Sequence, residues 1–223
     1  MEFKEYADRE LLVLAVADRI ASDLRQHLDH NDQAAIALAG GTTPGPIFDD
    51  LCAVDLAWDR VNVMASDERW VPTDHERSNA KLIRERLLVE HAAKAQFLPF
   101  FREGLTPEAA AEKVSAEVDA TGPLAVALLG MGEDMHTASL FPGTAGLEAA
   151  LSADAPALVV LRPDSQPEVR MSLSAQVLNG AINKHLVIFG EGKRAALDRA
   201  VSLPPEEAPI NAVLSEATVH WAP

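Results

Sequence analysis

Two ionisable side chains stand two residues apart in a loop that follows an apolar run. The run is Leu124–Leu129, and the loop from Gly130 reads GMGEDMHTASLFPG, with Asp134 and His136 in it. A buried strand that ends in glycines exposes the next backbone at a sheet edge, so both side chains are expected in a crevice. Histidine titrates near neutral pH and can take and return a proton. The spacing predicts an acid–base residue, His136; an ordinary loop hydrogen bond is the alternative.

A second polar loop follows the apolar run Ala34–Ala39. Its residues are Gly40, Gly41, Thr42 and Thr43, followed by Pro44. Backbone N–H groups and two hydroxyls close to a helix start suit a phosphate or sugar oxygens. A plain tight turn is the alternative.

Four further charged positions are candidates for the same crevice. Asp67 and Arg69 follow the apolar run Val61–Met64, with a solvated surface turn as the alternative. Arg170 and Lys193 are unremarkable as isolated basic residues. If both segments return to one sheet edge, they add two positive charges to the glycine–threonine loop and create a phosphate site.

The motifs of several other kinds of site are missing from the sequence, which argues against nucleotide binding, a serine nucleophile and a metal site. The glycine–threonine loop and the segment Gly190–Lys193 both fail the P-loop pattern, and GMGEDM has Met135 where a dinucleotide fingerprint requires its third glycine. No GxSxG elbow activates Ser139, which argues against a serine hydrolase. His27 and His30 have helical spacing but no third ligand, so they are read as surface histidines and no metal is expected.

Apolar segments alternate between strand and helix character along the chain. Strands are expected at Ala34–Ala39, Val61–Met64, Phe97–Leu98, Leu124–Leu129, Ala157–Leu161, His185–Phe189 and near Val219–Trp221. Helices are expected from Asp8 to about His30, from Pro44 or Pro46, and over Ser78–Glu90, Pro107–Val118 and Lys193–Val201. This alternation predicts a three-layer αβα fold around a mainly parallel, Rossmann-like sheet, formed by residues 1–223 as a single α/β domain.

Charge and composition limit the classes of molecule that this protein is expected to bind. The 223 residues include 19 basic and 34 acidic ones, for a net charge of −15, and aromatics make up 5%. Such a surface repels a phosphate backbone and offers few stacking platforms, so nucleic acid is not expected. No apolar run is long enough for a membrane span, and the acidic N-terminus does not fit a secretory signal, which predicts a cytoplasmic protein. Cys52 lies in an apolar stretch and is expected in the core.

Five ordered motifs together resemble one known family. They are AGGTTP at residues 39–44, SDERWVP at 66–72 with Ser78-Asn79 following, GMGEDMHTASLFPG at 130–143, Arg170-Met-Ser172, and GEGK at 190–193. Over nearly its whole length the chain resembles the 6-phosphogluconolactonases of the glucosamine-6-phosphate isomerase/6-phosphogluconolactonase family. One position departs from the family's pattern: Met135 stands where a glycine is usual, which restricts the backbone if φ is positive there.

The resemblance implies hydrolysis of 6-phospho-D-glucono-1,5-lactone to 6-phospho-D-gluconate, a step of the oxidative pentose phosphate pathway. His136 would exchange the proton, Asp134 would support the ring, and Arg69 or backbone N–H groups would stabilise the carbonyl oxygen. The substrate-binding residues would be Gly40, Gly41, Thr42, Thr43, Asp67, Arg170 and Lys193. No cofactor is implied, the partner is the small sugar-phosphate lactone, and the chain is expected to be a monomer or weak homo-oligomer.

Two alternatives stay open. An amino-sugar phosphate deaminase or isomerase of the same family has an acidic residue five positions after the histidine, where this chain has Phe141. A sugar-phosphate-sensing regulator should carry an N-terminal helix-turn-helix, but only one acidic helix is expected before the first strand. Both differences favour the lactonase.

Overall fold

The structure is a computed structural model that describes residues 1–223. Its strands are β1 Glu2–Glu5, β2 Ala34–Leu38, β3 Val61–Ala65, β4 Asp67–Arg69, β5 Gln96–Phe97, β6 Val126–Leu129, β7 Leu158–Leu161, β8 Arg170–Leu173, β9 Asn183–Phe189 and β10 Thr218–Ala222. Its α-helices are α1 Arg9–Leu28, α2 Gly45–Cys52, α3 Asn79–Arg86, α4 Pro107–Ala120, α5 Leu147–Leu151, α6 Ala175–Asn179 and α7 Gly190–Ala200.

Seven strands form a parallel sheet in the order β1-β10-β9-β6-β2-β3-β5. From β2 the chain proceeds outward to β3 and β5, and then returns to the other side of β2 as β6. The strand order therefore reverses between β2 and β6, and such a switch point opens a crevice at the carboxyl ends of the strands. The predicted three-layer α/β fold with a Rossmann-like parallel sheet is confirmed.

The central strands are apolar throughout because both faces of the sheet are covered. Along β2, Ile36 and Leu38 pack into one apolar cluster with α1, while Ala35 and Ala37 pack into a second cluster with α4 and α7. All five β2 residues are buried. A strand covered on both sides needs no polar alternation, which explains the continuous apolar run in the sequence.

Helix α1 covers one face of the sheet. Asp8 caps it by accepting a hydrogen bond from the Leu11 N–H at 2.8 Å, and its inner stripe includes the buried residues Leu12, Val16 and Ile20. The exposed side of the helix carries charged residues together with Leu11 and Leu14. None of the helices in the chain combines the length and the hydropathy that crossing a bilayer requires.

A second, three-stranded antiparallel sheet in the order β4-β8-β7 stands beside the main one. The segment expected as a strand at Ala157–Leu161 belongs to this sheet rather than to the parallel one, and β4 and β8 were not expected as strands at all. Arg69 lies directly opposite Arg170 in the β4–β8 ladder. The small sheet therefore carries Asp67, Arg69 and Arg170 to the mouth of the crevice.

Two helix boundaries differ from the sequence expectation by three residues or more. Helix α3 ends at Arg86 instead of Glu90, because the N–H groups of Leu87 and Leu88 both reach the carbonyl of Ile83 and close the last turn. Helix α7 begins at Gly190 instead of Lys193. Lys193 consequently lies within the first turn of α7 rather than at its start.

A buried polar chain links the two ends of the sequence on the side of α1. The Tyr6 hydroxyl lies 2.8 Å from His220 Nδ1, and His220 Nε2 lies 3.1 Å from His185 Nδ1. His185 Nε2 lies 2.8 Å from Asp23 Oδ2, and Arg19 Nε approaches Asp23 Oδ1 at 2.9 Å. We refer to these five residues as the buried histidine chain. None of them lines the crevice described next.

Candidate active site

A cavity of about 350 Å³ lies at the switch point between β2 and β6. Its walls come from the loops that follow β2, β3 and β6, from the first turn of α7, and from the small sheet. Every site residue expected from the sequence lines this cavity except Asp134. The lining members of that set are Gly40, Gly41, Thr42, Thr43, Asp67, Arg69, His136, Arg170 and Lys193.

Asp134 lies behind His136 and holds its ring. His136 Nδ1 is 2.5 Å from Asp134 Oδ1, and the backbone N–H of His136 also donates to that oxygen at 3.3 Å. The hydrogen bond from His136 lowers the pKa of Asp134, which keeps this carboxylate ionised near neutral pH. An ionised carboxylate accepts the proton of Nδ1, so Nε2 is left as the free basic nitrogen of the imidazole.

Gly132 makes room for this pair. A Cβ atom at position 132 would lie 2.3 Å from His136 Nδ1 and 2.4 Å from Asp134 Oδ1, which is far inside van der Waals contact. The Gly132 N–H donates to the His136 carbonyl at 3.0 Å and closes the loop on itself. The loop sequence after β6 is therefore matched to the position of the imidazole.

Met135 adopts the left-handed backbone conformation that a glycine would favour, with φ of 66°. Two contacts hold it there. Its side chain packs against the larger apolar cluster, and its carbonyl accepts a hydrogen bond from the Ile210 N–H at 3.1 Å. The departure from the family's pattern thus leaves the positive φ in place, and the His136–Asp134 contact forms beside it.

The loop after β2 keeps its backbone donors free. No N–H group of residues 40–43 donates to another backbone group. Gly41 has φ of 83°, and a Cβ at Gly40 would lie 2.0 Å from Asn79 Oδ1, so both glycines are required by the local shape. These free N–H groups, at the start of α2, can donate hydrogen bonds to an anion or to sugar oxygens.

Two arginines form a positively charged wall opposite this loop. Arg170 is 3% exposed, and its Nη2 donates to Gln166 Oε1 at 2.5 Å while its Nη1 lies 3.9 Å from Asp67 Oδ2. Arg69 Nη1 donates to the Arg77 carbonyl at 2.6 Å. The Nε atoms of both Arg69 and Arg170 are buried without a hydrogen-bond partner. Buried unsatisfied donors of like charge are costly to the fold, which indicates an anion-binding wall.

Burial lowers the pKa values of two cationic side chains in the cavity. The first is Arg170, where the negative charge of Asp67 opposes the shift. Arginine nevertheless remains charged at neutral pH. Burial also lowers the pKa of Lys193, and the carboxylate of Glu133 opposes this shift. Together with Arg69 these groups give the cavity a cationic wall in a protein of net charge −15.

Asp67 is occupied by protein donors. It is 6% exposed, and its Oδ2 accepts a hydrogen bond from Ser139 at 2.5 Å while Oδ1 accepts one from Ser66 at 3.2 Å. Asn79 donates to the Asp67 carbonyl at 2.8 Å. These contacts favour the role of shaping the site and holding Arg170 over that of gripping sugar hydroxyls.

The next residue, Glu68, caps α3 from below the cavity. It is 1% exposed, and its carboxylate accepts hydrogen bonds from the backbone N–H groups of Arg69, Asn79 and Ala80 and from the Ser78 hydroxyl. Burial raises the pKa of Glu68, and these four donors oppose the shift. Its role is to fix the segment that carries Arg69.

Three lining residues were missed as functional positions. Asn79 packs on Gly40, Gln166 holds Arg170, and the Phe141 ring stacks on His136 with centroids 4.2 Å apart. Asn79 belongs to the family motif at residues 66–79, and Phe141 follows the histidine by five residues, so the sequence marks both as candidates for the site. Nothing in the sequence marks Gln166, because only the pairing of β4 with β8 brings its segment to the cavity.

The residues set aside from the sequence lie elsewhere or serve structural roles. Ser139 is buried and donates to Asp67 rather than facing the cavity. Cys52 is 4% exposed in the core, and burial raises the pKa of its thiol, as expected for an unreactive cysteine. His30 is exposed at the end of α1. No group of three or more His, Cys, Asp or Glu side chains is arranged to hold a metal ion.

Comparison with known proteins identifies the family to which this chain belongs. The family model described as glucosamine-6-phosphate isomerases/6-phosphogluconolactonase matches residues 7–221. The chain belongs to this family. The resemblance seen in the motifs of the sequence is therefore confirmed over almost the whole length of the chain.

Two curated members of the family share more than a third of the aligned residues with this chain. The chain is 37% identical over 222 residues to the 6-phosphogluconolactonase of Pseudomonas putida. That match covers 98% of this chain and 92% of the relative. It is also 37% identical over 219 residues to the 6-phosphogluconolactonase of Rhizobium meliloti, covering 95% and 94%.

Solved structures of family members superpose closely. The crystal structure of a 6-phosphogluconolactonase from Shewanella baltica matches with a TM-score of 0.96 and 32% identity, covering 100% of this chain and 98% of that one. A monomeric glucosamine-6-phosphate deaminase also matches, with a TM-score of 0.82 and 21% identity, covering 100% and 97%. At that identity the second likeness shows the shared fold alone.

Proposed function

We propose that this family member hydrolyses 6-phospho-D-glucono-1,5-lactone to 6-phospho-D-gluconate in the oxidative pentose phosphate pathway, as a 6-phosphogluconolactonase. The observation that carries the proposal is one cavity that holds both a basic imidazole nitrogen and a cationic wall. The names of relatives that are more than 30% identical over nearly the whole chain support the same reaction. The enzyme is a carboxylic ester hydrolase that acts on a lactone.

His136 carries the proton in this reaction. Its Nε2 accepts a proton from water as the water oxygen bonds to the C1 carbonyl carbon, which produces a tetrahedral oxyanion and an imidazolium. The oxyanion collapses, the bond from C1 to the ring oxygen breaks, and Nε2 returns the proton to that oxygen. The hydrogen bond from Nδ1 to Asp134 supports this role, because it anchors Nδ1 and stabilises the imidazolium.

The phosphate is bound at the cationic wall. Arg170 and Lys193 supply the charge, and the free N–H groups and hydroxyls of Gly40, Gly41, Thr42 and Thr43 supply further donors. Arg170 Cζ and the His136 ring both lie beside the ring of Phe141, at 5.8 and 4.2 Å from its centroid. This proximity suits one hexose phosphate that reaches both groups, so that binding energy at the phosphate positions the distant carbonyl.

Arg69 is assigned to the developing charge on the carbonyl oxygen. Its buried Nε has no partner, and a guanidinium placed in a protein cavity stabilises an oxyanion more strongly than water does. Asp67 positions Arg170 and shapes the wall. We propose no metal or organic cofactor for this reaction. We further propose that residues 1–223 form a single domain, which acts in the cytoplasm as a monomer or weak homo-oligomer.

A deaminase or isomerase of the family is the competing activity. Among the acidic side chains only Asp67 lines the cavity, and its oxygens are taken by serines. Phe141 occupies the position five residues after His136, and its phenyl ring cannot exchange a proton. These features favour a reaction that needs one proton carrier, as lactone hydrolysis does.

The direct test follows loss of 6-phosphogluconolactone near neutral pH against its spontaneous hydrolysis, with and without the protein. His136→Ala is expected to lower kcat by about 10²–10⁴-fold with little change in KM. Arg170→Ala is expected to raise KM by about tenfold or more with a smaller effect on kcat. His30→Ala is the matched control, since this histidine is exposed just beyond the end of α1.

Two outcomes would contradict the proposal. Wild-type protein that does not exceed the spontaneous rate would remove the activity itself, and ammonia release from glucosamine 6-phosphate would replace it with the competing one. Equal small effects of His136→Ala and Arg170→Ala would remove the division of roles between the two ends of the substrate.

A further inference from the structure

Phe141 contacts both of the groups that were assigned to opposite ends of the substrate. Its side chain is 5% exposed, and its ring lies 4.2 Å from the ring of His136 at an interplanar angle of 27°. The guanidinium carbon of Arg170 lies 5.8 Å from the centroid of the same phenyl ring. The aromatic ring therefore stacks closely on the imidazole, whereas the guanidinium lies near the limit of about 6 Å for a cation–π contact.

The imidazole needs such a support. Its hydrogen bond to Asp134 fixes the position of Nδ1, but a single hydrogen bond leaves the ring free to swing about that contact. Asp134 is itself mostly exposed, with 55% of its side chain accessible to solvent. A flat aromatic ring stacked on the imidazole face fixes the plane of the ring, and with it the direction in which Nε2 points.

The stack also suits the charged form of the ring. When His136 takes a proton from water, the imidazolium faces the electron-rich surface of the phenyl ring, which attracts cations. A leucine of similar bulk would fill the space without this attraction and without a flat surface. The aromatic ring therefore contributes in a way that apolar packing alone does not.

We propose that Phe141 is a positioning residue for His136, which holds the imidazole plane so that Nε2 faces the cavity. The catalytic consequence rests on the proposed lactonase function, whereas the effect on the ring does not. Phe141 lines the cavity but has no group that can exchange a proton. It acts through the imidazole, and its loss should affect turnover rather than substrate binding.

The experiment compares Phe141→Leu, which removes the ring, with Phe141→Tyr, which keeps it. Phe141→Leu is expected to lower kcat by about three- to tenfold with KM changed less than about twofold, while Phe141→Tyr retains most of the activity. Phe100→Leu is the matched control, because Phe100 is a buried phenylalanine that does not line the cavity. It should reduce stability and leave kcat unchanged.

Proton NMR gives a readout that needs no turnover. In the wild type the ring protons of His136, assigned with His136→Gln, should be shifted upfield by the phenyl ring, and the Nδ1 proton bonded to Asp134 should be protected from exchange with water. In Phe141→Leu the upfield shift should vanish and the Nδ1 proton should broaden by exchange. Phe141→Tyr should preserve both signals.

Three results would overturn the positioning role. They are the absence of an upfield shift in the wild type, a loss of kcat in Phe100→Leu equal to that in Phe141→Leu, and a rise in KM without a fall in kcat. If the wild type fails to hydrolyse the lactone, the proposed function is wrong, and the Nδ1 exchange comparison still decides the role of Phe141.

Discussion

Lowering the pH from about 7 to about 5 is expected to destabilise the fold through His220, which is 1% exposed. The buried histidine chain has one consistent set of protons. Asp23, paired with Arg19, accepts from His185 Nε2, so His185 Nδ1 accepts from His220 Nε2, and His220 Nδ1 accepts from the Tyr6 hydroxyl. With both histidines neutral every polar atom of His220 is satisfied, whereas an added proton would place a charge in a buried site next to other positive groups.

The size of the effect follows from the pKa of His220. Burial, assisted by neighbouring positive charges, lowers this pKa to about 3, whereas a histidine in an unfolded chain titrates near about 6.5. Between these values the unfolded state binds a proton that the native state does not, so acid favours unfolding. The free energy of unfolding falls by about 1.4 kcal/mol per pH unit, or about 2 kcal/mol from pH 6.5 to pH 5.

The assay is urea unfolding of the wild type and of His220→Gln at about pH 7 and about pH 5. Carboxylates titrate in both proteins, so the difference between the two free energies isolates His220. That difference should change by about 2 kcal/mol, with the wild type losing more on acidification. His30→Gln, on the surface, should track the wild type at both pH values. A difference that stays constant with pH would refute the reasoning.

Two other substitutions test the cavity wall and its support. Gly132→Ala should lower kcat by about 10²-fold, because its Cβ would displace the imidazole. Gly130 also lines the cavity, but a Cβ there meets no protein atom within 4 Å, so Gly130→Ala should lower kcat much less; equal losses in both would contradict the steric account. Glu68→Gln replaces an acceptor of four hydrogen bonds by an amide that can no longer accept all of them, and should lower the free energy of unfolding by about 2–3 kcal/mol. Glu85→Gln, exposed on α3, is its control in denaturant unfolding, and a similar small cost for both would show that the buried carboxylate is dispensable.

The fold could be predicted best from the sequence where the strands are completely buried. The apolar runs that became β2 and β6 are covered on both faces of the sheet, so their type and their position could be predicted from hydrophobicity alone. The carboxyl ends of parallel strands share one edge, which is why the loops with Gly41 and His136 could be expected in one crevice. The structure places both there.

The small antiparallel sheet could not be predicted in the same way. Strand β4 has three residues, all charged, and its partner β8 lies about a hundred positions further along the chain, so neither period nor composition marks the pairing. The alignment of Arg69 with Arg170 is a product of that non-local ladder. The stack of Phe141 on His136 was missed for a related reason, since a local motif does not show which way two rings turn.

The cationic wall has a consequence for how an anionic ligand arrives. At distance a molecule with net charge −15 slows the approach of an anion, whereas Arg170 and Lys193 attract it only once it has entered the cavity. Dissolved salt screens the first effect over about 10 Å at about 0.1 M, and the enclosed contacts much less. Modest ionic strength should therefore speed productive encounters, the reverse of the usual response of an enzyme that attracts its substrate by opposite charge.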